Sequence, residues 1–134
     1  MDLNLNGRRA LITGSTRGIG LATAIELTSM GASVVINGRS QETVDQAIAS
    51  ISNKATNVNL TGYAADLSTA EGCQSMTDAV PDLDILVNNM GIYEAKNFEN
   101  ISLNAPCFTK IRACQRWSQY HQEQFKPKTL RVFH

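Results

Sequence analysis

The feature that most constrains this chain is a trio of glycines in Thr13-Gly14-Ser15-Thr16-Arg17-Gly18-Ile19-Gly20. They separate two segments of different character. Arg9–Thr13 (RALIT) is short and apolar, as a buried strand is. Gly18–Met30 is dense in apolar side chains (Ile19, Leu21, Ala22, Ala24, Ile25, Leu27, Met30), contains no proline and stops at Gly31. It reads as a helix covered on most sides. A strand, a glycine turn and a helix in that order admit few folds. Gly14 makes the tight turn out of the strand, and Gly20 lets the helix pack close to the sheet.

The alternation continues downstream. Ser33–Asn37 (SVVIN) is rich in β-branched residues and predicts a second strand. Ser40 can cap a helix in which Val44, Ala47, Ile48 and Ile51 recur at i, i+3, i+4 and i+7. Asn57–Ala65 contains a third strand. Ser68 is the expected cap of a third helix carrying Cys73, Met76, Ala79 and Val80, which Pro81 stops. Asp84–Asn88 (DILVN) is a fourth strand. Strands alternating with helices in this way predict an α/β protein with a parallel sheet and helices on both faces. The expected architecture is a Rossmann-type doubly wound sheet, incomplete at about four strands, in the order 3-2-1-4.

Composition agrees with a folded domain. The 134 residues are 43% hydrophobic and 18% charged, which excludes the disordered class. No apolar run approaches the roughly 20 residues of a membrane helix, and the first residues lack the pattern of a secretory signal. The cysteines Cys73, Cys107 and Cys114 form neither a disulfide framework nor a CxxC pair, so a reducing cytoplasm is the expected location.

The formal charge of zero hides an asymmetry. Residues 1–103 hold six basic and eleven acidic groups, whereas 104–134 hold six basic and one acidic. The later segment has five of the eight aromatics, and no glycine follows Gly91. The expected organisation is therefore a dinucleotide-binding half-domain over 1–103 and a divergent, basic, aromatic tail over 104–134, partly helical between Cys107 and Lys126.

The glycine loop carries the chemistry. A helix N-terminus offers unpaired N–H groups and a positive dipole end to phosphates, and Gly18 lets the backbone approach a pyrophosphate. The residue after the second strand then selects the dinucleotide. A carboxylate there would accept hydrogen bonds from a ribose 2′-OH, but the stretch is Asn37-Gly38-Arg39. A guanidinium pairs with a 2′-phosphate, and Arg17 in the loop could add a second cation, so NADP(H) is favoured over NAD(H). The alternative is two solvated surface arginines.

These residues resemble the short-chain dehydrogenase/reductase family, particularly members similar to 3-oxoacyl-acyl-carrier-protein reductases. Thr13–Gly20 matches the family's TGxxxGxG. Arg39 stands where its NADP-type determinant does. Asp66-Leu67 follows the third strand, where the family contacts adenine. Asn88-Asn89-Met90-Gly91 matches NNAG, with Met90 in place of Ala. The resemblance implies a cofactor site made of Gly14, Ser15, Thr16, Arg17, Gly18, Ile19, Gly20, Arg39, Asp66, Leu67, Asn89, Met90 and Gly91. Read singly, Asp66 could be a turn or cap residue, and Asn88 and Asn89 could satisfy backbone groups at a strand end.

The resemblance also implies hydride transfer between NADPH and a carbonyl or alcohol, with a Tyr as general acid/base and a Lys four residues later. Tyr63, Tyr93 and Tyr120 are followed four residues on by Leu67, Asn97 and Gln124, so that motif is absent. No catalytic residue is assigned, and the chain on its own is expected to be inactive. Three alternatives stand beside this: an oxidoreductase completed by another subunit, a nucleotide-independent regulatory or interaction protein, and a non-functional frameshifted product. A one-base frame shift can turn Thr109–Trp117 into Gln-Lys-Phe-Glu-Leu-Val-Asn-Val-Gly, similar to the family's helix with its active-site Asn.

Cys107, Cys114 and His121 have no metal-ligand spacing, so no metal is expected. Neither a nucleic acid nor a membrane is an expected partner. The fourth strand (Ile85, Leu86, Val87) would be an exposed sheet edge open to self-association unless a tail helix covers it.

Overall fold

A computed structural model describes residues 4–55 and 58–90, together with the backbone of 130–133. The expected helix over Cys107–Lys126 and the candidate Gly91 lie outside the described residues. Strand β1 (Arg9–Ile12) leads through the glycine loop into α1 (Gly18–Ser29). Strand β2 (Ser33–Gly38), α2 (Gln41–Ser52), β3 (Asn59–Ala64), α3 (Ala70–Ala79) and β4 (Ile85–Asn88) follow in strict alternation. Strand β5 (Leu130–Phe133) completes the described elements.

All neighbouring strands run parallel, in the order β3-β2-β1-β4-β5. The expected order 3-2-1-4 is present within it. The expected open edge at β4 is not. Leu130–Phe133 pairs with β4 from Ile85↔Leu130 to Asn88↔Phe133, so β4 is an interior strand. Its backbone groups are satisfied on that side by a segment more than forty residues downstream, a pairing that local periodicity cannot reveal.

The central strands are apolar on both faces because both faces are covered. Ala10, Ile12, Val34, Ile36, Ile85 and Val87 pack with Ala24 of α1 and Val44, Ala47 and Ile51 of α2. Leu11, Val35 and Leu86 pack on the other face with Leu67 and with Cys73 and Met76 of α3. Helix α1 buries a single stripe, Gly20, Ala24 and Thr28, and leaves Ile19 64% exposed. That corrects the expected cover on most sides: neighbouring α2 lies on the same sheet face, and only one side of α1 meets the strands.

Capping differs between the helices in a way that matters for the site. Ser40 caps α2 by accepting the Thr43 N–H, as expected. Helix α3 is capped by Thr69, whose Oγ1 accepts the Gly72 N–H at 3.0 Å, and not by Ser68. The Ser68 hydroxyl is drawn to the Asp66 carboxylate at 2.6 Å instead, because a charged acceptor two residues back makes the stronger bond. Among the described residues helix α1 has no side-chain cap at its N-cap Arg17, and no acidic residue lies in its first turn. Among the described residues, no helix is long and apolar enough to cross a membrane.

Candidate functional site

The carboxyl ends of β1, β2, β3 and β4 meet where the strand order reverses about β1, the place in open α/β sheets where ligands sit. The loop from Thr13 to Arg17 leaves β1 at this point. Gly14 and Gly18 have φ of 62° and 59°, which side chains with a Cβ rarely adopt. Gly20 serves a different need. A Cβ there would lie 2.7 Å from the Gly14 carbonyl oxygen and would also strike the Asn89 amide, so only glycine lets α1 start this close to the loop.

Thr13 ties the loop to the end of β4. Its hydroxyl, buried to 1% exposure, donates to the Val87 carbonyl and accepts the N–H groups of Asn89 at 2.9 Å and Met90 at 3.2 Å. The Asn89 side-chain amide donates in return to the Thr13 and Gly14 carbonyls, at 3.2 and 3.1 Å. Ser15 is fully buried, and its hydroxyl donates to the Ile12 carbonyl at 2.8 Å while accepting the Asn37 N–H at 2.9 Å. It therefore shapes the loop from beneath. Thr16 is half-buried, while Arg17, Gly18 and Ile19 are exposed. The open face of the loop thus presents backbone, one guanidinium and one apolar side chain.

A second wall comes from the ends of β2 and β3. Arg39 is exposed just beyond β2, and among the described residues neither it nor Arg17 forms an ion pair. Asp66 follows β3. Its carboxyl lies below the usual carboxylate range because the Ser68 hydroxyl and then the Ser68 N–H donate to it, with the Arg39 charge adding a smaller pull. Leu67 is buried in the core, and Met90 packs on the same cluster with its Cγ against Gly14.

The structure therefore brings the loop residues, Arg39, Asp66, Leu67, Asn89 and Met90 to one end of the sheet. An anion could be held there by the N–H groups at the start of α1, for which no side chain competes among the described residues. The expected site set leaves out two residues that hold this site: Thr13, which reads as the end of a strand and the first residue of the glycine motif, and Asn37, which reads as part of a strand. The available signal is a polar side chain closing an otherwise apolar buried run, as Asn37 does in SVVIN. Among the described residues, no cluster of three or more His, Cys, Asp or Glu side chains could hold a metal ion.

Known proteins share this geometry. Residues 8–113 match the family model described as short chain dehydrogenase. An uncharacterized oxidoreductase of Bacillus subtilis, YvaG, is 48% identical over 101 residues, covering 75% of this chain and 38% of the relative. The 3-oxoacyl-[acyl-carrier-protein] reductase FabG of Aquifex aeolicus is 39% identical over 107 residues, covering 77% of this chain and 43% of FabG. The crystal structure of L-sorbose reductase from Gluconobacter frateurii, complexed with NADPH and L-sorbose, superposes with a TM-score of 0.74 at 30% identity. That superposition covers 89% of this chain and 48% of the reductase. The chain spans less than half the length of these relatives.

Proposed function

The chain belongs to the short-chain dehydrogenase family of oxidoreductases, which bind nicotinamide dinucleotides, and from that premise we propose that it holds NADP(H) in preference to NAD(H). In this reading residues 1–103 are the dinucleotide-binding half and 104–134 a divergent segment. The observation that carries the reading is the glycine loop running into an uncapped α1 while α2 and α3 are both capped by side chains. The residues present fit a dinucleotide: Gly14 and Gly18 keep the loop free of side chains, and Gly20 admits no Cβ without a backbone clash.

Each residue has a physical task in this reading. The N–H groups opening α1 hold the pyrophosphate. Arg39, free of ion pairs among the described residues, pairs with the 2′-phosphate, and Arg17 adds charge beside it. Asp66, Asn89, Met90 and Gly91 form the adenine side, with Leu67 buried behind Asp66. Ser15 and Thr16 support the loop, and exposed Ile19 offers an apolar surface next to it. When bound, the cofactor supplies a hydride donor or acceptor for carbonyl reduction or alcohol oxidation. The 134-residue sequence contains no Tyr-x-x-x-Lys, so none of its side chains is assigned the proton transfer. By itself the chain is therefore inactive in this reading. A reducing cytoplasm suits the buried thiol of Cys73, which donates to the Leu67 carbonyl.

The test is a calorimetric titration of the chain with NADP⁺ and NAD⁺, followed by a turnover assay with NADPH and a panel of carbonyl compounds. Tighter binding of NADP⁺ and no turnover are expected. Equal affinity for the two dinucleotides would remove the role given to Arg39. Steady consumption of NADPH would overturn the assignment of inactivity.

A further inference from the structure

Asn37 is a polar residue at the end of a buried strand, and every hydrogen-bonding group of its side chain is used across segment boundaries. Its Oδ1 accepts the Gly14 N–H at 3.2 Å. Its Nδ2 lies 3.3 Å from both the Tyr63 and the Ala65 carbonyl oxygens and donates to them. Its backbone is held as well: the Ser15 N–H donates to the Asn37 carbonyl at 2.9 Å, and the Asn37 N–H donates to the Ser15 hydroxyl. The residue is 1% exposed, so it meets no ligand directly.

The segments it joins are the two walls of the site. Gly14 opens the phosphate-side loop. Ala65 immediately precedes Asp66 and Leu67 on the adenine side. Asn37 itself lies two residues before Arg39. We propose that Asn37 is a positioning residue that fixes the separation between the phosphate-side loop and the adenine-side turn, so that a ligand long enough to touch both meets them in register. The inference rests on the dinucleotide reading above and deepens it.

A purely structural amide at a strand end would have a different signature. Asn59 supplies the comparison: it bridges the same two strands at their opposite end, donating to the Ser33 hydroxyl at 2.8 Å. Removing either bridge weakens the β2–β3 pair. Only removal of Asn37 should alter the spacing of the two walls.

The experiment measures NADP⁺ and 2′-AMP affinities calorimetrically for the full chain and for Asn37→Ala and Asn59→Ala. The Gly14 and Ser15 amide exchange rates are measured alongside by NMR. For Asn37→Ala, NADP⁺ affinity should fall about tenfold, since up to three modest hydrogen bonds that hold the walls together are lost. Affinity for 2′-AMP, which touches one wall, should change by less than about twofold, because a lost spacing is not felt by a short ligand. Gly14 N–H exchange should accelerate, while Ser15 N–H, bonded to the Asn37 backbone, stays protected. Asn59→Ala should leave both affinities unchanged. Asn37→Ser gives the same comparison if the alanine variant does not fold. The inference is overturned if NADP⁺ affinity survives in Asn37→Ala, or if NADP⁺ and 2′-AMP weaken equally. A wild-type chain that binds no NADP⁺ would instead overturn the dinucleotide reading itself.

Discussion

The Thr13 hydroxyl and the Asn89 backbone N–H, 76 residues apart in sequence, are joined at 2.9 Å, and this bond fastens the end of β1 to the end of β4. The same oxygen accepts from Met90 and donates to Val87, so one buried hydroxyl organises the whole turn. Thr13→Val keeps the shape and removes that oxygen, leaving two part-buried N–H groups without that acceptor. Chemical denaturation should show a loss of about 2 kcal/mol. Thr13→Ser should recover most of it, and equal losses in the two variants would show that the methyl group matters more than the hydroxyl.

Gly20→Ala tests the close approach of α1 to the loop. The added methyl would lie 2.7 Å from the Gly14 carbonyl oxygen, a backbone atom that cannot swing aside. The expected cost is about 1–3 kcal/mol, as for other overpacked sites. Dinucleotide affinity should fall with it. A thermal melt matching wild type would mean that α1 is free to shift away from the loop.

Arg39 is exposed and bears on the 2′-phosphate alone in the proposed reading. Arg39→Ala should therefore weaken NADP⁺ binding by roughly tenfold or more, the scale of a lost charge-assisted hydrogen bond, with little change for NAD⁺. Stability should be untouched. A parallel loss for both dinucleotides would assign the residue to the shared part of the ligand.

Asp84 should give the protein an acid-sensitive component of stability. Its carboxyl is held below the usual range first by the Arg9 N–H and then by the Arg8 guanidinium, which donates at 2.9 Å. A folded-state pKa below the unfolded one means the contribution is complete above the unfolded value. It is lost as pH falls through the folded value. The partners are partly exposed, at 61% and 35% for the two side chains, so screening keeps the effect small. Asp84→Asn should flatten the acid limb of the stability profile below about pH 4. Identical limbs for variant and wild type would contradict this.

Asn88 closes β4 with 2% exposure, and among the described residues neither its Oδ1 nor its Nδ2 has a hydrogen-bond partner. Alternation along the strand puts it on the face of Leu86. Asn88→Leu should raise stability by about 1 kcal/mol, since it removes an unsatisfied buried amide while keeping the same branched shape. Equilibrium unfolding in urea would read this, and a destabilised variant would be evidence that the amide is used.

Much of the fold is legible along the chain. The apolar runs of β1, β2 and β4, the i, i+3, i+4, i+7 stripe of α2 and the glycine loop each declare themselves within a few residues, because period and turn chemistry are local properties. The cap of α3 lies one residue beyond the expected one: Ser68 and Thr69 are both good caps, and the Asp66 carboxylate decides between them. The strand beside β4 is not legible at all, since Leu130–Phe133 carries no sign of its partner.

The sequence by itself therefore determined the alternating elements and the position of a phosphate-sized cradle after the first strand. Only the tertiary structure decided which side chains hold that cradle in shape. Thr13, Asn37 and Asn89 act on groups 22 to 77 residues away. Such bonds depend on the register between parallel strands, and that register is fixed by the packing of the helices on both faces rather than by any pattern within one segment.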